Sequence, residues 1–418
     1  MGSAGLRRDC ECVEGRPAWY DRAFPKKHLG MKKATSFSFY FLFFAANAAY
    51  MPYIVLYFQS LGFNGAQIGL LTSLSPLLAM IGSPFLTGLA DSTRHHRLIM
   101  SLAMLVSISV GVLMPASTTF LPVILLVIMF SFFGSPVNAF ADTATMAMLD
   151  ERKELYGRLR LGGTFGWGIA SLVFGRLIEN HGLRLGFHSF AAITFLALLV
   201  SQNFSFKSTA SRGSFLSGAR KLLENRRYVV FLLMALVSGI GLSTVNNYFF
   251  PYMAELNATK SMMGLAQFIS TVSELPVLLV SHRILRRLKP HGMLVMGMGF
   301  IVLRLLLYSA ISTPQGVLVS QLMNGLTYAL VWVAGVSYAA QSAPPGMSAT
   351  AQGLFGATVF GVGSALGGYS GSLLLEALGG RMMFLVVGLF LLVSLTVLLV
   401  LEKRCTSCQS EVAVSSPD

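Results

Sequence analysis

Residues 156–167 read YGRLRLGGTFGW and lead from a charged turn into a long apolar segment. Arg160, Thr164 and Trp167 are four and three residues apart, so a helix presents them on one face. An ionisable side chain inside a membrane segment generally marks a functional site, and an indole adds a flat apolar surface beside it. The stretch therefore predicts a helix whose polar face binds a small polar organic solute.

The apolar segment before this stretch has a polar face of its own. This face consists of Ser135, Asn138, Asp142 and Thr145, which are three, four and three residues apart in the sequence. Because a charge in hydrocarbon is costly, we expect the Asp142 carboxylate and the Arg160 guanidinium to face each other or a water-filled cavity. The alternative is that Arg158 and Arg160 anchor the helix at the membrane boundary and that Asp142 caps a helix end.

The composition is that of a multi-pass membrane protein. Of the 418 residues, 54% are hydrophobic and 11% are charged, whereas a soluble domain carries about 25% charged residues. The net charge of +14 does not indicate a nucleic-acid partner, because the basic residues lie mainly between the apolar segments. The partner expected from composition is the lipid bilayer.

The apolar segments predict an all-α membrane protein with twelve transmembrane helices. About 20 apolar residues cross a bilayer as a helix. The predicted spans, numbered 1 to 12 in chain order, are 36–60, 65–90, 97–116, 119–148, 160–180, 184–203, 228–255, 261–284, 291–311, 315–342, 347–375 and 381–402. They group into an N-terminal tail at 1–35, a six-helix half at 36–203, a linker at 204–227, a second six-helix half at 228–402 and a C-terminal tail at 403–418.

The basic residues predict the orientation of these spans. Most of the 31 lysines and arginines fall on one side of the membrane if both chain ends lie in the cytosol. We therefore expect cytosolic termini, with the plasma membrane as the membrane of residence. The four cysteines are in the tails, and we interpret Cys10, Cys12, Cys405 and Cys408 as reduced and non-structural. A zinc site and palmitoylation are the alternatives for them.

The chain also repeats itself, so the two halves are predicted to be pseudo-symmetric. Two sets of residues recur at offsets of 195 and 197: Tyr57, Leu61, Gly69 and Leu70 match Tyr252, Leu256, Gly264 and Leu265, and Glu179, Gly182, Arg184 and Phe187 match Glu376, Gly379, Arg381 and Phe384. Two parallel six-helix halves place a solute site at their interface near the membrane midplane.

The second half contributes its own buried charges, Glu274 in span 8 and Arg304 in span 9. Burial opposes ionisation of a carboxyl group and a nearby cation favours it. Since opening and closing of a cavity changes both influences, we predict that Glu274 and Arg304 couple proton movement to transport. A static ion pair between them is the alternative. The residues predicted to bind solute are Asn47, Asn138, Asp142, Arg160, Thr164, Trp167, Asn246, Gln321 and Asn324.

Signals for an enzyme, a metal or a cofactor are missing from the sequence. The seven histidines lie near span ends or in loops, and neither HExxH nor GxSxG occurs. The glycines of span 11 do not follow a strand, so they indicate close helix packing rather than a phosphate loop. We predict no catalytic residue, no metal site and no cofactor.

Over residues 36–402 the chain resembles the major facilitator superfamily. Within that superfamily it resembles the branch of lactose permease and phenylpropionate permease-like proton symporters. Residues 156–167 resemble that branch's Gly-Arg-x-Arg and Gly-x-x-Gly-Trp signature. The resemblance implies that Arg160 binds sugar hydroxyls, that Trp167 stacks on the sugar ring and that Asp142 replaces a binding glutamate. Residues 273–275 and 302–304 resemble the segments that carry the glutamate and the arginine of the coupling network.

The chain departs from that branch in two places. Asn324 and Thr327 stand where lactose permease has a histidine and a proton-carrying glutamate, which removes that route for proton coupling. The superfamily's loop motif after span 2 is reduced to GLADSTRHHR at residues 88–97. Asp91 and Arg94 are the predicted gating residues, with Asp91 expected to pair with a cytoplasmic basic residue and lock a closed state.

These observations predict a monomeric secondary active transporter of a sugar, a nucleoside or an aromatic acid, operating by alternating access with proton symport. Two acids against two arginines favour an uncharged solute. Asn324 and Thr327 suggest a first alternative, a uniporter. A second alternative is a sensor that keeps the fold but does not transport solute.

Overall fold

The structure is a computed structural model, in which the described backbone covers residues 26–150, 152–206, 220, 222–344 and 347–414. Side chains are described within 33–150, 152–206, 220, 222–344 and 347–401. All four cysteines and most of the predicted linker fall outside the described side chains. The interpretation of the cysteines and the predicted domain boundaries therefore stay predictions.

Ten helices in this part of the chain are long and apolar enough to cross a membrane. Two of them, Lys260–Ala310 and Ser348–Leu401, are twice the length that a bilayer needs. Each leaves helical geometry at one residue, at Lys289 with φ 57° and ψ 167°, and at Gly379 with φ 75° and ψ 167°. These breaks divide the ten helices into twelve spans and confirm the predicted all-α architecture.

The bounds of the spans agree with the predicted ones to within a few residues at most ends. In chain order the spans are Lys33–Ser60, Gly65–Thr93, His96–Ala116, Phe120–Leu149, Lys153–His181, Arg184–Ser201, Arg226–Glu255, 260–288, 290–310, Pro314–Ser342, 348–378 and 380–401. The α-helix of span 5 begins at Tyr156, four residues before the predicted start. The prediction was late there because Arg158 and Arg160 lower the local hydropathy without ending the helix.

The backbone repeats between the two halves. Six of the seven described residues with positive φ occur in pairs 195 or 197 positions apart, and the pairs are Gly62 and Asn257, Arg94 and Lys289, and Gly182 and Gly379. The turns after spans 1, 2 and 5 thus have the same handedness as the turns after spans 7, 8 and 11. The predicted pseudo-symmetry of two six-helix halves is confirmed at these turns.

One tyrosine in each half ties the end of its span to a neighbouring span. The Tyr57 hydroxyl donates to the carbonyl oxygen of Met114 at 3.0 Å. The matching Tyr252 hydroxyl lies 2.6 Å from the carbonyl oxygen of Tyr308 and 2.8 Å from that of Ile311. The repeated tyrosines are therefore structural, because each satisfies carbonyl groups at the end of span 3 or span 9.

We expect Tyr252→Phe to lower the free energy of unfolding by about 1–2 kcal/mol, because the ring stays and only the buried hydroxyl is lost. Thermal unfolding of the purified protein in detergent measures the change. Tyr369→Phe is the matched control, since Tyr369 is 43% exposed and its loss of a hydroxyl should leave the unfolding temperature unchanged. Equal unfolding temperatures for the two variants would contradict the structural role.

The two halves pack closely against each other at one end of the molecule. We call this the outer end, and we call the end at which span 1 begins the inner end. A Cβ atom on Gly264 of span 8 would lie 2.9 Å from the Cα atom of Gly175 in span 5. On the other side, a Cβ atom on Gly368 of span 11 would lie 3.1 Å from the Thr72 hydroxyl of span 2. The inner parts of spans 4, 10 and 11 pack against helices of their own half. Among the described residues, the two halves are therefore closely packed at the outer end, and the inner parts of these three spans lack such packing between the halves.

Candidate functional site

The first half forms a polar cluster around Asp142. One oxygen of this carboxylate, Oδ1, lies 2.6 Å from the Tyr40 hydroxyl and 2.6 Å from an Arg160 guanidinium nitrogen. The guanidinium carbon of Arg160 also lies 5.6 Å from the centre of the Tyr40 ring, within the range of a cation–π contact. The side chains of Arg160 and Asp142 are 37% and 36% exposed, so the pair is partly accessible. The structure thus brings these two charges together as expected.

Close packing of spans 1 and 5 allows this cluster to form. A Cβ atom on Gly162 would lie 2.6 Å from the carbonyl oxygen of Phe37, and one on Gly166 would overlap with the carbonyl oxygen of Phe41. Only glycine permits so short a separation between two backbones. The glycines of residues 156–167 therefore bring Arg160 within reach of the side chains of span 1.

The remaining residues of this stretch differ in their surroundings. Thr164 and Trp167 are half-buried, and the indole packs against the apolar core. Arg158 is exposed, which agrees with the alternative that it anchors the helix at the membrane boundary. For Arg160 the hydrogen bond to Asp142 contradicts that alternative. The roles of Thr164 and Trp167 in binding solute stay predictions.

The second half forms a second polar cluster, in which Asn324 lies between Glu274 and Arg304. The Asn324 amide donates to Oε1 of Glu274 at 2.7 Å, and its carbonyl oxygen accepts from Arg304 at 2.6 Å. The ion pairs found among the described residues do not include one between Glu274 and Arg304. The alternative of a static Glu274–Arg304 ion pair is therefore wrong for this conformation, because a neutral amide separates the two charges.

Arg304 is 3% exposed and most of its other donors are also occupied. Its Nε donates to the Tyr308 hydroxyl at 2.8 Å, and its Nη2 donates to Oε1 of Gln321 at 2.8 Å. The Gln321 amide in turn donates to Tyr308, and Gln321 is only 2% exposed. Gln321 was predicted to bind solute, but in this conformation it is buried and its side chain bonds Arg304 and Tyr308 of span 9.

Irregular geometry in span 10 positions Asn324. The α-helix ends at Ser320, a 3₁₀ turn covers Gln321–Met323, and a π-helix covers Gly325–Ala329. A Cβ atom on Gly325 would overlap with the carbonyl oxygen of Ser273, so glycine lets span 10 approach span 8 here. The Gly325 N–H also donates to the Ser273 hydroxyl at 3.1 Å. Single π-helical turns are frequent at functional sites, and this one places Asn324 beside Glu274.

The other predicted asparagines lie away from the two charged clusters. Asn47 and Asn246 line a cavity formed mainly by the first half, which Asn246 reaches from the second half. The carbonyl oxygen of Asn138 is buried without a hydrogen-bond partner among the described residues. The structure therefore does not gather all the predicted solute-binding residues at one point.

The gating residues are arranged differently from the expectation. Nε2 of His96 lies 2.8 Å from Oδ1 of Asp91, while Arg94 ends span 2 with φ 60°. This left-handed residue reverses the chain and brings His96 back to Asp91. The partner of Asp91 is thus a histidine of the same half, so in this conformation the contact does not join the two halves.

Sequence reasoning missed two residues of the clusters, Tyr40 and Tyr308. Tyr40 is seven residues before Asn47 and so lies on the same face of span 1. Tyr308 is four residues after Arg304 and so lies on the same face of span 9. Extending the polar faces of span 1 and span 9 by one or two helical turns would have identified both tyrosines.

The outer closure carries a carboxylate at each of its two symmetry-related contacts. Glu179 at the end of span 5 accepts from the backbone N–H groups of Lys260 and Ser261 at the start of span 8. The matching Glu376 ends 2.5 Å from the position of a Cβ atom on Gly65, at the start of span 2. Since the N-terminus of a helix carries a partial positive charge, each carboxylate stabilises contact between the halves.

We expect the double replacement Glu179→Gln and Glu376→Gln to increase the outward-open population about two- to fivefold for each carboxylate removed, because the helix termini lose their counter-charges. Spin labels on Ser60→Cys and Asn257→Cys, in a background without the tail cysteines, measure the separation of the outer ends. Glu255→Gln is the matched control, because Glu255 accepts from Gly380 N–H within its own half. A distance distribution that is the same for all variants would contradict a gating role.

Comparisons with known proteins agree with this architecture. Residues 36–386 match the MFS_1 like family. The chain is 26% identical over 368 residues to maltose permease of Geobacillus stearothermophilus, covering 88% of this chain and 93% of the relative. It is 28% identical over 295 residues to multidrug resistance protein MdtG of Rahnella sp. (strain Y9602), covering 66% of this chain and 70% of the relative.

Among solved structures, the nucleoside transporter NupG superposes with a TM-score of 0.81 at 19% identity, covering 89% of this chain and 99% of that one. This likeness shows the fold. The family and its relatives are membrane transporters rather than enzymes. The chain therefore belongs to the MFS_1 like family, within the major facilitator superfamily.

Proposed function

We propose that the protein is a secondary active transporter that moves an uncharged, hydroxyl-bearing organic solute together with a proton, by alternating access. The observation that carries the proposal is the pairing of one acid with one arginine in each half, by direct contact in the first half and through Asn324 in the second. A site with balanced charges favours a neutral solute over an ion. Sugars and nucleosides are the solute classes that fit.

The Asp142–Arg160 pair supplies the chemistry for binding hydroxyl groups. A guanidinium has five N–H donors in a fixed plane, and Asp142 occupies only part of them. The carboxylate and the guanidinium together both donate and accept, which matches neighbouring hydroxyls on one solute. The exposure of both side chains leaves room for solute to replace water.

The Glu274–Asn324–Arg304 arrangement supplies the proposed proton site. A guanidinium in direct contact would hold the carboxylate charged throughout the cycle. The Asn324 amide donates to Glu274 whether the carboxyl group is ionised or protonated, since a protonated carboxyl keeps an acceptor oxygen. Glu274 is therefore free to change its protonation state when the surrounding cavity opens or closes.

The proposal places both termini in the cytosol, since most lysines and arginines then lie on the cytosolic side. The structure is then inward-facing, with its outer end closed. We further propose residence in the plasma membrane and a monomeric state, because both polar clusters are built by a single chain. Besides lipid, we propose the solute and protons as binding partners, and we propose no nucleic-acid partner.

The test is purified protein in liposomes that contain a pH-sensitive dye. Sugars and nucleosides are added one at a time outside, and the expected result is acidification of the lumen with one of these classes. Solute equilibration without proton movement would contradict symport and favour the uniporter, which the replacement of the span 10 acid by Thr327 supports. Binding without any solute movement would contradict transport and favour a sensor.

A further inference from the structure

A cavity of about 420 Å³ lies at the outer end of the molecule, between the two halves and away from both charged clusters. We call it the outer cavity. The first half contributes the end of span 1 and the turn between spans 5 and 6, and the second half contributes Lys260 at the start of span 8. The residues that line it include Arg184 and Lys260, which are cations at neutral pH, and no acid. A positively charged concave wall attracts anions.

Neither of these cations is neutralised by a neighbouring acid in this conformation. The ion pairs found among the described residues do not include Arg184 or Lys260. The Glu179 carboxylate lies close by, but it accepts from the backbone N–H groups of Lys260 and Ser261 and does not line the outer cavity. The guanidinium and the ammonium group are therefore free to pair with an anion from outside the chain.

The position of Lys260 depends on closure of the outer end. Its carbonyl oxygen accepts from the Tyr53 hydroxyl of span 1 at 3.4 Å, and its N–H donates to Glu179 of span 5. These contacts join the start of span 8 to the first half, and they place the half-buried Lys260 side chain on the same cavity wall as Arg184. When the two halves separate at the outer end, the two cations separate with them.

The second half shows a carboxylate in the corresponding place. Glu255 is 195 residues after Ser60, and it ends span 7 as Ser60 ends span 1. The Glu255 carboxylate accepts from the N–H of Gly380 at 2.8 Å, in the turn before span 12. The N–H at the matching position in the first half, that of Leu183, has no hydrogen-bond partner among the described residues. The first half thus keeps the backbone donor of this arrangement and lacks its carboxylate.

The two halves also differ in their positive charges here. Lys260 matches Gly65 at the offset of 195, so the outer cavity has one cation more and one carboxylate fewer than its counterpart. Arg184 matches Arg381, whose Nε donates to the carbonyl oxygen of Ser309 at 3.2 Å. The outer cavity is therefore the one of the two related places that is built to take up an anion.

We propose that the outer cavity binds a small oxyanion, a phosphate or carboxylate group, between Arg184 and Lys260, and that this binding stabilises the closed outer end. Guanidinium and ammonium groups both form charge-assisted hydrogen bonds with such oxygens. Because the two cations belong to different halves, the anion contacts both only in the closed conformation and shifts the population toward it. The proposal goes beyond the proposed transport function, since it involves neither the solute site nor the proton site.

Binding is measured by protection of a cysteine from alkylation. With the tail cysteines replaced by serine, Ser60→Cys places a single thiol on the wall of the outer cavity, where N-ethylmaleimide modifies it. In detergent without phospholipid, we expect millimolar inorganic phosphate to slow alkylation about three- to fivefold relative to sodium chloride of equal ionic strength, because the bound anion covers the thiol. Asn257→Cys, which does not line the cavity, should react at the same rate in both salts.

Variants of the two cations make the result specific. Arg184→Gln and Lys260→Gln, each added to Ser60→Cys, should weaken protection about three- to tenfold, because each removes one charged donor. Arg176→Gln is the matched control, since Arg176 is an exposed arginine of span 5 that does not line the outer cavity. It should leave protection unchanged. Equal unfolding temperatures of the three variants without phosphate show that each one folds.

Vesicles distinguish a dissolved anion from a lipid headgroup as the source of the phosphate. In vesicles of phosphatidylcholine with phosphatidylglycerol, protection of the Ser60→Cys thiol that appears only with added phosphate assigns the site to a dissolved anion. Protection that is present without added phosphate, and is absent in vesicles of phosphatidylcholine alone, assigns it to the anionic headgroup. Either result supports an oxyanion site at Arg184 and Lys260.

The effect on the outer end is measured with spin labels on Gln59→Cys and Asn257→Cys, which do not line the cavity. Phosphate should raise the ratio of closed to open conformations about two- to fivefold. Ser60→Glu supplies from the chain the carboxylate that Glu255 supplies in the second half. It should raise this ratio without phosphate and remove the response to phosphate, whereas Ser60→Gln should respond as the wild type does.

The proposal is overturned if phosphate slows alkylation of Ser60→Cys no more than chloride does, or if Arg184→Gln and Lys260→Gln keep full protection. A ratio of closed to open conformations that is the same with and without phosphate overturns the effect on the outer end. None of these measurements uses a transported solute or a pH gradient, so a failure of the proposed proton symport would not change their outcome.

Discussion

Glu274→Gln is expected to abolish uphill uptake while solute exchange across the membrane continues. Glutamine keeps the size of the side chain and still accepts a hydrogen bond from Asn324 at the position where Glu274 accepts one at 2.7 Å. It cannot take up or release a proton. The solute concentration inside liposomes should therefore rise only to the external concentration, whatever pH gradient is applied.

Two measurements separate coupling from binding in this variant. Counterflow, in which labelled solute exchanges against unlabelled solute, should proceed at a rate within about threefold of the wild type, because the Asp142–Arg160 cluster is intact. Uptake driven by a pH gradient should disappear. The control is Glu224→Gln, which removes an exposed carboxylate from the segment before span 7 and should change neither measurement.

Uphill uptake by Glu274→Gln at the wild-type rate would remove Glu274 from the coupling mechanism. The neighbouring variant Asn324→Leu then serves to locate the proton site. It deletes the amide between Glu274 and Arg304 and leaves the buried guanidinium without one of its acceptors. If uphill transport also survived that change, the second cluster as a whole would have a structural role.

Arg160→Lys is expected to weaken solute binding about 10- to 100-fold, with little change in the stability of the protein. Lysine keeps the positive charge beside Asp142 but replaces a planar set of donors by a single ammonium group. Hydrogen bonds to charged groups contribute about 1.5–3 kcal/mol each, which sets the size of the expected loss. Equilibrium binding of the solute identified in liposomes measures it.

Arg158→Lys is the matched control for this experiment. Arg158 is on the same helix, two residues earlier, and its side chain is exposed. Its replacement should change affinity less than about twofold, since exposed charges contribute little. Normal affinity in Arg160→Lys would contradict binding of solute by the guanidinium, and equal losses in both variants would indicate a general effect of charge near the inner end of span 5.

The amino-acid sequence was sufficient for the architecture and for one contact of the site. The lengths of the apolar segments require twelve membrane helices, and residues matched at offsets of 195 and 197 indicate two similar halves. The contact is that of Asp142 with Arg160, which was expected because two opposite charges on neighbouring membrane helices are stabilised by meeting, with a membrane anchor at Arg160 as the alternative. These inferences rest on local properties of the chain, its hydrophobicity and its helical periodicity.

Only the tertiary structure decided how the second cluster is connected. Helical periodicity shows which residues share a face, but it does not show toward which neighbouring helix that face is turned. Gln321 and Asn324 are three residues apart on one polar face and both accept from Arg304, yet only Asn324 also reaches Glu274. The difference arises from the change to 3₁₀ and π geometry between them, which depends on the contact of Gly325 with span 8.

The closed outer end was likewise beyond the sequence. It depends on how far apart the helices lie, and that distance is set by contacts between residues remote in the chain, such as Gly264 with Gly175. The sequence determined which groups are placed in the membrane, and packing between distant segments determined which of them meet.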